Sequence, residues 1–183
     1  MNSIRNIVIL TGAGVSAESG IDTFRGAGGL WENHRVEDVA TPQAFARDPD
    51  LVLRFYDMRR EAIQQKQPNA AHAALARLDA EWPKRGPGNS LLIVTQNVDD
   101  LHQRAGNADT IRLHGDILAD RWLDPCPRGR GCAPAQAAPG TPPTCADCGN
   151  RVRPGVVWFG ESLPLAALQA AEAAAESCAL MLV

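Results

Sequence analysis

Residues 7–25 read Ile7-Val8-Ile9-Leu10-Thr11-Gly12-Ala13-Gly14-Val15-Ser16-Ala17-Glu18-Ser19-Gly20-Ile21-Asp22-Thr23-Phe24-Arg25. An apolar, β-branched run enters a glycine turn, the pattern of a buried strand feeding a phosphate-binding loop. Gly12 permits a tight turn and Gly14 lets a pyrophosphate approach the backbone. Ala17 is read as the small residue that keeps the next element close to the strand. The turn is expected to open a helix whose free N–H groups face outward. Ser16, Glu18, Ser19, Phe24 and Arg25 then crowd polar and aromatic groups onto the loop, where a plain dehydrogenase would continue an apolar helix. No acidic residue closes a second strand about 20 positions on, as the standard dinucleotide fingerprint requires. The nucleotide is therefore read as a reactant, not only as a redox carrier.

Working outward, four apolar runs at 4–10, 91–95, 110–113 and 179–183 read as parallel strands. Helical stretches separate them, so the fold class is α/β with crossover connections. Thr41-Pro42 and Asp48-Pro49 each pair an N-cap with proline at the first helical position, and the second opens a helix to about Gln67. Asn69 caps a helix over 70–81, Pro164 begins an alanine-rich helix to 177, and 83–90 is a Pro/Gly loop. The run 179–183 is read as a buried strand. Because the chain stops on it, a longer parent protein is expected.

The 183 residues suffice for one well-buried domain with a small satellite module. A net charge of −3 argues against nonspecific nucleic-acid or membrane-surface partners. The apolar stretch Ile7 to Leu10 is too short for a signal peptide, and nothing approaches a membrane span, so a cytoplasmic location is expected.

Residues 124–155 break the α/β pattern. They hold more than half of the thirteen prolines and four of the five cysteines. Such a segment builds no core of its own and needs a staple. Cys126, Cys132, Cys145 and Cys148 have the spacing C-x5-C-x12-C-x2-C, in which Cys145-Ala-Asp-Cys148-Gly149 is a good metal knuckle. Four thiolates suit a closed, structural tetrahedral Zn²⁺ site. The wide first pair is the weaker part of the pattern. Two disulfides or free cysteines are the alternatives, and a cytosolic setting disfavours the disulfides. Cys178 reads as a core residue.

The strand at 91–94 delivers Thr95-Gln96-Asn97-Val98-Asp99, and the one at 111–113 delivers His114-Gly115-Asp116. Polar clusters at the carboxyl ends of parallel strands are where open α/β sheets bind ligands. Asn97 and Asp99 suit ribose hydroxyls or a carboxamide, and His114 suits a general base. Taken singly, each is more often an N-cap, a turn residue or a satisfied core histidine than a functional group. It is their occurrence together with the glycine loop that favours a site.

Gly12 to Gly26, Gln96-Asn97-Val98-Asp99, Leu113-His114-Gly115 and Val156-Val157-Trp158-Phe159-Gly160-Glu161 closely resemble the sirtuins, the NAD-dependent protein-lysine deacylases. The resemblance runs from residue 7 to 183, with four motifs in family order. It implies a discontinuous Rossmann-like domain (1–30, 70–123 and 156–183), a helical insertion at 31–69 and a zinc-binding insertion at 124–155. By the same resemblance, Gly12, Ala13, Gly14, Ala17, Glu18, Phe24, Arg25 and Trp31 would contact NAD, with Phe24 shielding the reacting sugar. Gln96, Asn97, Val98 and Asp99 would hold nicotinamide and its ribose. Val156, Val157, Phe159 and Gly160 would present backbone to a substrate peptide. Further strands carrying the adenosine-binding half of the site would follow Val183.

The reaction so implied begins with attack of the acyl-lysine oxygen on ribose C1′ as nicotinamide leaves. His114 then deprotonates a ribose hydroxyl, and nicotinamide, lysine and O-acyl-ADP-ribose are released. Asn97 and Asp99 are grouped with His114 as catalytic. Tyr56 and Arg59 stand three apart and share a helix face. A phenol beside a guanidinium is a receptor for a carboxylate, and the pair looks like that of the desuccinylating and demalonylating sirtuins. A solvated helix face is the alternative. Rival functions are ADP-ribosyl transfer from the same site and a noncatalytic, zinc-stapled nucleotide-binding module.

Overall fold

A computed structural model describes residues 4–22, 30–31, 34–107, 109–129, 131–133 and 142–183. The first half of the chain runs β1 (Asn6–Thr11), α1 (Gly14–Ala17), β2 (Leu30–Trp31), β3 (His34–Arg35), α2 (Val36–Val39), α3 (Pro42–Arg47), α4 (Pro49–Gln64) and α5 (Ala70–Glu81). After a 3-10 turn at Pro83–Arg85 come β4 (Ser90–Thr95), α6 (Leu101–Ala105), β5 (Thr110–Arg112), β6 (Gly115–Trp122), β7 (Val152–Val156), α7 (Leu165–Ser177) and β8 (Leu180–Leu182).

Ile7, Val8 and Ile9 are buried because β1 lies inside a four-stranded sheet of order β5-β4-β1-β8, and all the pairings are parallel. Parallel strands covered on both faces favour such unbroken β-branched runs. The chain steps from β1 to β4 and β5 on one side, then returns to β8 on the other. In open α/β sheets this reversal of direction is where ligands bind, beyond the carboxyl ends of the strands. Register sharpens the point. Thr11 of β1 pairs with Thr95 of β4, so the glycine loop and the Gln96–Asp99 segment leave the sheet side by side. The Thr11 hydroxyl donates to Thr95 Oγ1 at 2.9 Å, and Gln96 N donates to Thr11 O at 2.9 Å.

The helices start where their caps dictate. The Thr41 hydroxyl accepts from Ala44 N (3.0 Å), and an Asp48 carboxylate oxygen accepts from Leu51 N (2.9 Å). Each is followed by proline at the first helical position. Asn69 and His72 form a reciprocal capping box on α5. The Asn69 side chain also donates to Val15 O at 2.8 Å, tying the start of α5 to the glycine loop. A second core of Val39, Phe45, Val52, Phe55, Tyr56 and Ile63 packs α2–α4 onto Ile117 and Val156 of the antiparallel β6–β7 ribbon and onto Trp158 just after it. That ribbon crosses very closely at its base. Gly115 has φ +83°, and a Cβ there would collide with the Gly155 carbonyl, so only glycine fits.

The glycine loop opens a helix as expected, one of only four residues, and three other expectations need correction. Because the chain turns away at once, Ala17 is exposed and cannot be the small residue wedged against β1; Ser16 is the buried one. Strand β8 forms, but it is paired to β1 alone among the described residues, so Met181 is 42% exposed instead of buried. Cys178 is half-buried at the end of α7, its Sγ donating to Ala175 O, and is not a core residue. Among the described residues, no helix is long and apolar enough to cross a membrane.

Candidate active site

The carboxyl ends of β1 and β4, the turn before β6 and the segment after β7 enclose a cavity of about 780 Å³. Ala13, Gly14, Gln96, Asn97, Val98, Asp99 and His114 line it, and Tyr56 and Arg59 from α4 line it as well. Val156, Val157, Phe159 and Gly160 complete the wall. Gly12, Ala17 and Glu18 stand outside this lining. Phe24 and Arg25 lie outside the described residues, and of Trp31 only the backbone in β2 is described. Among the described residues, a Cβ at Gly12 or Gly14 would meet nothing within 4 Å. The described residues thus do not demand glycine here by packing, and the open space beside these positions suits the close approach of a ligand.

A buried polar network holds the two halves of the cavity together. The Ser16 hydroxyl donates to Asp99 Oδ2 (3.0 Å) and accepts from Asn97 Nδ2 (3.0 Å). Asp99 Oδ1 accepts from Leu101 N at 3.1 Å, so both carboxylate oxygens of this 5% exposed residue are engaged. Arg112 donates to the carbonyls of Val98 and Asp99 and pairs with Asp116. Ile117 N also donates to Val98 O at 3.0 Å. The 97–99 segment is therefore preorganised, with little freedom left to lose on binding. His114 is half-buried on the wall, and its carbonyl accepts from Val157 N at 2.8 Å.

Ser16, His72, His102 and Arg112 were not singled out as site residues from sequence. The signal for Ser16 was its place in the loop next to Gly14. The histidines gave none, because their partners are remote in the chain. Their rings meet edge to face at 4.9 Å. Since Thr11 gives its proton to Thr95, His102 Nε2 donates to Thr11 Oγ1 at 3.0 Å. Burial, which leaves His102 2% exposed, pushes its pKa down to about 4, helped by the neighbouring His72 and opposed by Asp99. Burial also lowers His72, against the pull of Asp99.

The sign of the resulting pH dependence follows directly. An unfolded histidine titrates near 6.5, so between about pH 6.5 and 4 the unfolded chain takes up a proton that the folded site refuses. Stability is therefore lost as pH falls through that window, by roughly 3 kcal/mol for His102. The urea midpoint should be lower at pH 5 than at pH 7, and His102→Gln should flatten the dependence. An unchanged slope in that variant would rule His102 out as its source.

Where α4 lines the cavity, Tyr56 and Arg59 are buried, not solvated, so the exposed-face reading of α4 fails at these positions. Burial pushes the Tyr56 phenol up to about 12, although the Trp158 hydrogen bond and Arg59 work the other way. The N–H groups of Val157, Trp158 and Phe159 are all used internally, by His114 O, Glu161 Oε2 and Ala40 O. A peptide strand laid along 156–160 has to find its partners outside these three amides.

The cysteines gather, though not in the order that spacing suggested. The thiols of Cys126, Cys132 and Cys148 lie within 4.8 Å of one another and could hold a metal ion. Cys132 and Cys148 Sγ are 3.8 Å apart, far beyond a disulfide bond of about 2.05 Å. It is instead close to the separation, about 3.8 Å, of two thiolates bound tetrahedrally at about 2.3 Å. Cys145 lies outside that trio although its thiol interacts with Cys148. Burial opposes its ionisation, but N–H groups of Asp147, Cys148 and Ala133 draw it down to about 7.

A parallel α/β sheet with a glycine loop, a polar second strand end and a histidine on one cavity is the arrangement of the nucleotide-binding class of α/β folds. The Sir2 family model matches residues 12–183. The NAD-dependent protein deacylase of Ralstonia nicotianae is 48% identical over 184 residues, which cover 100% of this chain and 71% of that protein. NAD-dependent protein deacylase 1 of Pseudomonas aeruginosa is 50% identical, covering 97% and 71%. Among solved structures, a Sir2 homologue–NAD complex aligns with TM-score 0.78 and 44% identity over 98% of this chain and 67% of that one. A Sir2–p53 peptide–NAD+ complex aligns with TM-score 0.75 and 32% identity, over 98% and 70%. This chain belongs to the Sir2 family.

Proposed function

We propose that the protein is an NAD-dependent protein-lysine deacylase that removes carboxyl-terminated acyl groups, succinyl and malonyl, as well as acetyl. The observation that carries this reading is the single cavity shared by the glycine loop, Gln96–Asp99, His114 and the Tyr56–Arg59 pair. Family membership and relatives named as NAD-dependent protein deacylases support the reaction type. The buried donor pair supports the acyl class, because a guanidinium and a phenol in a desolvated pocket favour a carboxylate over a methyl group.

In this reading Ala13 and Gly14 leave room for the phosphates, and Asn97, Val98 and Asp99 hold the nicotinamide ribose. The rigid backing of Ser16 and Arg112 keeps that segment in place. His114 accepts a proton from a ribose hydroxyl once nicotinamide has left. The test is a time course with acetyl- and succinyl-lysine peptides, with and without NAD. The reading requires acyl loss strictly coupled to nicotinamide release. Transfer of ADP-ribose to the peptide with its acyl group intact would favour the rival transferase.

We further propose that the cysteine cluster holds one structural Zn²⁺ through Cys126, Cys132, Cys148 and Cys145. Support comes from the 3.8 Å thiol spacing and from the interaction of Cys145 with Cys148. A closed four-thiolate site leaves no open position, so its contribution is to folding. Cys148→Ser should reduce bound zinc from about one equivalent to near zero and lower the melting temperature. Full zinc retention measured by atomic emission would exclude Cys148 as a ligand.

A further inference from the structure

Trp158 lines the cavity together with Tyr56 and Arg59 and is 1% exposed. Its indole N–H donates to the Tyr56 hydroxyl at 3.1 Å, across 102 positions of sequence. Its ring face lies 3.3 Å from the Arg153 guanidinium carbon, and the Phe45 ring tilts against it at 5.2 Å. Arg153 is itself buried and is clamped by Glu161, which accepts from Arg153, from Arg121 and from Trp158 N. Burial would raise the Glu161 carboxyl, but the Arg153 and Trp158 donors outweigh it and hold it below the usual range.

An indole nitrogen can donate but never accept. The Tyr56 oxygen must therefore be the acceptor of this bond, and its own O–H cannot point back at Trp158. Tyr56 and Arg59 line the same cavity from one face of α4. A phenol with a fixed, retained proton beside a guanidinium presents two donors, the arrangement a carboxylate needs. The guanidinium on the ring face holds the indole in position. A phenylalanine at 158 would keep the apolar volume but leave the phenol oxygen without this donor.

We propose that Trp158 is a specificity-determining positioning residue, whose N–H, braced by Arg153 and Glu161, sets Tyr56 as a donor to the acyl carboxylate. The proposal rests on the carboxyl-acyl reading of the Tyr56–Arg59 pocket. Trp158→Phe should lower kcat/KM for a succinyl-lysine peptide about tenfold more than for an acetyl-lysine peptide, chiefly through KM. Adding Tyr56→Phe to Trp158→Phe should cost nothing beyond Tyr56→Phe alone. Equal losses on both peptides, or losses that multiply in the double variant, would overturn the proposal. Arg59→Met, assayed beside it, separates the two levels. If Arg59→Met is not selective, the carboxyl-acyl reading fails and takes this role with it. If it is selective and Trp158→Phe is not, only the role of Trp158 fails.

The parent protein offers a check that needs no variant to fold. Tyr56 is the only tyrosine in the chain. The tyrosine doublet in its ultraviolet resonance Raman spectrum therefore reports the hydrogen bonding of this one phenol. A succinyl-lysine peptide should shift the doublet toward the donor form, and an acetyl-lysine peptide should not. No difference between the two peptides would overturn the proposal.

Discussion

If His114 is the general base proposed above, His114→Ala should reduce deacylation of an acetyl-lysine peptide by about 10²–10⁴-fold in kcat and leave NAD affinity close to that of the unsubstituted protein. The size follows from the loss of a positioned general base, and the selectivity follows from how the residue is held. His114 is anchored through its carbonyl, which accepts from Val157 N, and this bond survives a side-chain truncation. Residues 97–99 of the cavity wall are held through separate bonds from Ser16, Arg112 and Ile117. Steady-state rates with calorimetric NAD titration check both halves of the prediction. An undiminished rate would remove His114 from the chemistry, and a parallel loss of NAD binding would make its role structural.

The second large effect is on acyl choice. Arg59→Met should depress desuccinylation by about 10–100-fold while deacetylation falls far less, because a charge-assisted hydrogen bond is lost from only one of the two substrates. Arg59 is buried beside Tyr56 in the α4 face that packs under Trp158. Methionine replaces the guanidinium with an unbranched, flexible apolar chain. Competition between the two peptides in one reaction, read by mass spectrometry, gives the ratio directly. Equal losses would argue against a carboxylate pocket.

The parts of the fold that depend on neighbouring residues were legible in the sequence. The run Ile7–Leu10 made a central parallel strand because three consecutive β-branched residues suit a strand covered on both faces. Thr41, Asp48 and Asn69 each cap a helix within a residue or so of where their side chains predicted it. The polar residues that line the cavity were legible as residue types at strand ends. How those ends meet was not. Ser16 reaches Asn97 and Asp99 across 81 and 83 positions, and His102 reaches Thr11 across 91, distances over which periodicity carries no information. The same limit explains β8. Apolarity forecast a strand, but exposure depends on which strands flank it, and only β1 does so among the described residues. Cysteine spacing likewise marked four possible ligands without saying which thiols would converge.

The most direct measurement is the product balance of the purified protein with a succinyl-lysine peptide and NAD, followed by mass spectrometry. The account predicts one nicotinamide and one O-succinyl-ADP-ribose for every lysine freed, with no lysine freed when NAD is left out. Succinate released without consumption of NAD, or a peptide that gains ADP-ribose and keeps its succinyl group, would contradict it.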